Sequence, residues 1–75
     1  MNTKASEDAI RSGALGETLR RRLVRARETY GLKRVLASTL TAEGTHWRAE
    51  AGGNVYHGTV LAIERGLELL EREAP

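Results

Sequence analysis

The stretch RVLASTLTAEGTHWRAEAGGNVYH, residues 34–57, decides the fold, because here the chain stops reading as helix and starts reading as sheet. Arg34 to Thr41 is short and partly β-branched, and its core Val35-Leu36-Ala37-Ser38-Thr39-Leu40 lacks helical spacing, which predicts a strand. Thr41-Ala42-Glu43-Gly44 then supplies a turn. Thr45 to Ala51 alternates Trp47, Ala49 and Ala51 with His46, Arg48 and Glu50, the period of a second strand with one buried face. Gly52-Gly53-Asn54 is a hairpin signal, since primed turns need positive φ and these residues adopt it most easily. A short third strand follows at Val55 to His57. With a two-residue loop, Tyr56 shares the face of Trp47 and Ala49, while His57 falls beside Arg48 and Glu50; a three-residue loop reverses this. The chain has no Phe, so Trp47 and Tyr56 are expected in the core, although exposed sheet aromatics can also stack on bases.

Helices are expected on both sides of this stretch. Leu15, Leu19, Leu23, Ala26 and Tyr30 recur at three- and four-residue intervals from Ala14 to Tyr30. They gather in a stripe about 80° wide at 3.6 residues per turn, with Gly31 placed to end the helix. Residues 1–12 read as a flexible lead-in or a short separate helix, because Gly13 and Gly16 interrupt continuity. Thr59 is positioned to cap a last helix running to about Glu73. Val60, Ile63, Leu67 and Leu70 form its apolar side, and Ala62, Gly66 and Leu69 widen that side to roughly half the circumference. Such width is expected if the helix lies between the sheet and the first helix, or if it forms a dimer or partner interface. The expected fold is one α+β domain over residues 1–75, α-β-β-β-α, a three-stranded antiparallel meander with helices packed on one face.

A chain of 75 residues buries a smaller fraction of its surface than a larger one, and neither disulfide nor evident metal staples it, so homo-oligomerisation is expected. The absence of cysteine fits a reducing compartment. Met1 to Ser12 carries Asn2, Lys4, Glu7, Asp8 and Arg11, which excludes an apolar signal core there, and no run reaches the length of a membrane span, so a cytoplasmic, membrane-free protein is expected. Net charge is +2, but residues 1–34 carry nine Lys or Arg against four acids and residues 35–75 carry three against six. The polarity could steer an anionic partner to the front half or join two copies head to tail.

The most suggestive stretch for function is Arg20, Arg21, Arg22, Arg25 and Arg27, with Lys33 and Arg34 just beyond. Arginine presents a planar fork of donors suited to phosphate. On the helical wheel Arg20 and Arg27 flank the apolar stripe on one side, Arg22 flanks it on the other, and Arg21 with Arg25 lie nearly opposite, so positive charge surrounds the helix. Glu17 to Arg21 and Arg25 to Glu28 are also helix-stabilising pairs. Arg48 joins the candidate nucleic-acid-binding set, within a polar patch of His46, Arg48, Glu50 and His57 that suits an anion. Two histidines and one glutamate make a poor zinc site, so no metal or other cofactor is expected. No nucleophile lies near a histidine in a recognisable motif and no phosphate-loop pattern is present, so no enzyme is expected. The expectation is a small binding or regulatory protein whose arginine-rich helix contacts nucleic acid. The alternative is a protein-interaction module or small inhibitor acting on a larger machine, docking through an exposed strand or through Leu61 and Leu69 of the last helix.

The order helix, three short strands, helix is similar to that of the double-stranded RNA-binding domain, and Trp47-Arg48-Ala49-Glu50-Ala51-Gly52-Gly53 resembles its central hairpin in alternation and turn. At Thr59-Val60-Leu61-Ala62 that family presents phosphate-clamping lysines, and none is here. The likeness is of element order, so no residue role is carried over.

Overall fold

The computed structural model describes residues 12–73. The stripe at Leu19, Leu23 and Ala26 is buried along α1 (Glu17–Tyr30), and the apolar side at Ile63, Leu67 and Leu70 is buried along α4 (His57–Glu73). Leu15, just ahead of α1, joins the same core. Tyr30 packs at its margin and donates its hydroxyl proton to the Leu70 carbonyl at 3.0 Å. Leu23, Ile63, Leu67 and Val35 are fully buried, and each such side chain contributes about 1.5–3 kcal/mol by leaving water.

Between α1 and α4 the chain is helical, which corrects the sheet expected there. Four helices hold 76% of the described residues: α1, α2 (Leu32–Thr39), α3 (Glu43–Glu50) and α4. The two strands, β1 (Ser12–Gly13) and β2 (Val55–Tyr56), are two residues each. They pair antiparallel, Ser12 with Tyr56 and Gly13 with Val55. There is no three-stranded meander for helices to cover, and the likeness in order to the double-stranded RNA-binding domain disappears with it. The expected lead-in or short helix over residues 1–12 lies outside the described residues, except Ser12, which pairs in β1.

Each mistaken strand has a physical reason. Taking the window from Leu32 rather than Arg34 places Leu32, Val35, Leu36 and Thr39 at helical intervals, and Val35 and Thr39 are the two buried residues of α2. Gly31, at φ 89°, lets α2 follow α1 with no further linker, because that backbone conformation is strained for other residues. In the next segment Ala42, Glu43, Arg48, Ala49 and Glu50 are strong helix formers. The buried residues of α3 are His46 and Ala49, three apart. The alternation of Thr45 to Ala51 is therefore a coincidence of period two with a short helix. The expected turn at 41–44 shrinks to Thr41 and Ala42, and Gly52-Gly53-Asn54 joins α3 to β2 instead of joining two strands.

Exposure is corrected too. Trp47 and Tyr56, expected in the core, are 41% and 63% exposed, whereas His46, expected on the outer face, is fully buried. The last helix starts at His57, so Thr59 lies in its first turn and does not cap it. The most extensive contact between elements is α2 on α4, where Gly66 is the point of closest approach. A Cβ there would lie 2.6 Å from the Ser38 carbonyl oxygen and from the Thr39 Cα. The Ser38 hydroxyl donates to the Gly66 carbonyl at 2.8 Å, tying the helices at this crossing. Among the described residues, no helix is long and apolar enough to cross a membrane.

Candidate nucleic-acid interface

The fold sorts the arginines of α1 by what each faces. Arg27 turns to α3, where its Nε and Nη2 donate to the two carboxylate oxygens of Glu50 at 2.6 and 3.0 Å. Its guanidinium also lies 5.1 Å from the centre of the Trp47 ring, a cation–π contact. Arg20 takes the same flank, donating to the Glu50 carbonyl at 3.3 Å and to Glu17. Glu50 is the hub. Its side chain is 11% exposed and accepts from Arg27 and from the Nε2 of His46, one helical turn back. Burial pushes its carboxyl up, but the hydrogen bonds from Arg27 and His46 outweigh this and hold it below the ordinary carboxylate range. A carboxylate only accepts, so Nε2 carries a hydrogen toward Glu50, and Nδ1 is buried with no partner among the described residues. His46 is sealed from solvent, and the cluster joins α3 to α1 through Arg27 and Glu50.

On the other side of α1, Arg22 donates twice to Glu71 of α4, at 2.9 and 2.8 Å. That bond holds the Glu71 carboxyl below its usual range. Arg21 pairs with Glu17 at 3.1 Å. The Glu17 carboxyl is lowered to about 2, first by the hydrogen bond from Arg20 and then by Arg21, against the opposing effect of burial. Arg25 makes no ion pair with a described residue. Thr18, Arg21, Arg22, Arg25 and Thr29 fall within an arc of about 100° on the wheel. Two shallow grooves run along that arc, one lined by Thr18, Arg21, Arg22, Arg25 and Glu71, the next by Arg22, Arg25, Thr29 and Tyr30 among others. Once Arg20 and Arg27 are drawn to α3, the charge that surrounds the helix on paper becomes an outward stripe.

The remaining candidates do not join it. Arg34 of α2 pairs with Glu73 and lies over the Tyr30 ring. Lys33 is exposed at the start of α2. Arg48 lines a different cleft with Ser12, Thr45 and Tyr56, to which α1 contributes nothing. Leu61 and Leu69 are 52% and 47% exposed. Eight residues separate them, about 80° around α4 and about 12 Å along it, so the two do not form one patch. The grouping that sequence reasoning missed is Arg27-Glu50-His46-Trp47. Its signal was the four-residue spacing of His46 and Glu50, which is a contact on a helix and only a shared face on a strand.

The described residues define a small four-helix domain with a two-residue β-ribbon, and they contain no group of three His, Cys, Asp or Glu that could hold a metal ion. No protein-family model matches the chain, and no curated protein or solved structure matches it.

Proposed function

We propose that the protein is a small non-enzymatic binding protein that contacts nucleic-acid phosphates through the outward stripe of α1: Arg21, Arg22 and Arg25, flanked by Thr18 and Thr29. The observation that carries this reading is the sorting of the arginines. Two are held inward by α3, and three are left along one groove edge, Arg25 without an ion pair among the described residues. The pair made by Arg21 is exposed and screened by solvent, so a phosphate can replace Glu17 at little cost; Arg22 keeps its paired bonds to Glu71 and adds positive charge beside the groove. Arg21 and Arg25 are one turn apart, about 6 Å along the axis, a spacing that suits successive phosphates of one strand.

The test is fluorescence anisotropy with labelled duplex and single-stranded DNA and RNA at two salt concentrations. Arg21→Ala with Arg25→Ala is expected to weaken binding and to flatten the salt dependence by about two units of slope, while Lys33→Ala, outside the stripe, leaves affinity unchanged. Unchanged affinity in the double variant would end this reading. Attention would then pass to a protein partner, with Leu61 and Leu69, each tested separately, as the first residues to mutate.

A further inference from the structure

Away from the α1 stripe, a cleft of about 280 Å³ is bounded by Ser12, Thr45, Arg48, Asn54, Tyr56 and Thr59, with the buried Val55 among them. Every polar group of this lining can donate a hydrogen bond: four hydroxyls, one amide and one guanidinium. None is acidic. Glu50 of α3 is turned to Arg27 and His46 of the inner cluster, and Arg48 makes no ion pair with any described residue. The Arg48 stem is held across the loop that follows α3. A Cβ at Gly53 would stand 2.7 Å from the Arg48 Cγ, and the Gly53 N–H donates to the Arg48 carbonyl at 2.9 Å. Residues from both strands, both neighbouring helices and the connecting loop thus converge on one cation surrounded by neutral donors.

We propose that this cleft binds a phosphate monoester of a sugar that also bears a planar base, as in a mononucleotide. A guanidinium fork with several hydroxyl donors and no competing carboxylate matches a group with three acceptor oxygens and a charge near −2 better than it matches a carboxylate. The volume lies just below the roughly 300–1,000 Å³ of ordinary small-molecule sites, which suits a small ester. Tyr56, 63% exposed, supplies a flat aromatic face beside the anion on which a base can stack. The site is separate from the α1 stripe and stands without it.

The test is an ¹⁵N NMR titration of the full chain with inorganic phosphate and with adenosine 5′-monophosphate, each against sodium chloride of equal ionic strength. Saturable shifts are expected at Thr45, Arg48, Asn54, Tyr56 and Thr59, with the nucleotide binding about fivefold or more tighter than phosphate and losing that advantage in Tyr56→Ala. Arg48→Gln is expected to weaken both ligands about tenfold or more, and Lys33→Ala, which lies in neither site, to leave both unchanged. Thr45→Val, which keeps the side-chain volume and removes one donor, gives an independent reading should Arg48→Gln disturb the fold. Shifts reproduced by chloride, equal affinity for the two probes, or binding unaltered in both Arg48→Gln and Thr45→Val overturns the assignment.

Discussion

Gly66 shows how one residue sets the distance between two helices. Alanine is the better helix former by about 1 kcal/mol, so on propensity alone Gly66→Ala should stabilise α4. The tertiary contact reverses that sign. The added methyl would sit 2.6 Å from backbone atoms of Ser38 and Thr39, which cannot turn aside as a side chain can, so α2 must lift from α4. Gly66→Ala is expected to destabilise the protein by about 1–3 kcal/mol, the scale of overpacking in a closed core, measured as a lower urea midpoint. A gain in stability would mean that the crossing is loose. Leu40 is the opposite case, a leucine 85% exposed that ends α2 in the left-handed conformation with its N–H bonded to the Leu36 carbonyl. The cap there is made by geometry that leucine adopts reluctantly.

At the scale of the element, α1 has two working sides with different chemistry. Its inner flank is tied to α3 through Glu50, and its outer flank turns Arg21 and Arg25 to solvent while Arg22 reaches Glu71 of α4. The consequence is measurable without any ligand. Glu50→Gln, which strips the hub of its charge and leaves Arg27 facing an amide, is expected to cost about 1.5–3 kcal/mol, the range for hydrogen bonds to charged groups in partly buried sites. Arg25→Ala on the outer stripe should stay within about 0.5 kcal/mol. Denaturant unfolding of both variants decides. An Arg25 variant that costs as much as the Glu50 variant would place the outer stripe in the structural framework and remove it from a binding role.

Across the whole molecule, the charge polarity of the chain is used internally. Among the described residues, the ion pairs that join distant elements all run from an arginine between residues 22 and 34 to a glutamate between residues 50 and 73: Arg22 to Glu71, Arg27 to Glu50 and Arg34 to Glu73. The basic front half thus folds onto the acidic back half of the same chain. This gives a pH dependence with a definite sign. Glu17, Glu50 and Glu71 have folded-state carboxyls below their ordinary value of 4.5, Glu17 at about 2. The unfolded chain therefore binds more protons in that window, and the stabilisation is complete above 4.5 and is lost as pH falls toward 2. The thermal midpoint is expected to drop over that range, and to drop less in Glu50→Gln, which has one fewer such group. A midpoint that stays level from pH 4.5 to 2 would remove these pairs from the stability of the fold.

The sequence alone determined α1 and α4, because each is long enough for its apolar period to repeat: Leu19, Leu23 and Ala26 in one, Ile63, Leu67 and Leu70 in the other. It also placed each arginine on its correct side of α1. What only the tertiary structure decided lies between residues 32 and 57. Helices of eight residues are marginal by themselves, and seven or eight residues can satisfy period two and period 3.6 alike. The choice was made by what could be buried: Val35 and Thr39 against α4, His46 and Ala49 against α1. Once Thr45 to Ala51 coiled into a helix, His46 moved inside, Trp47 moved out, and Glu50 met Arg27, because side-chain direction follows backbone period and the period was selected by contacts from outside the segment.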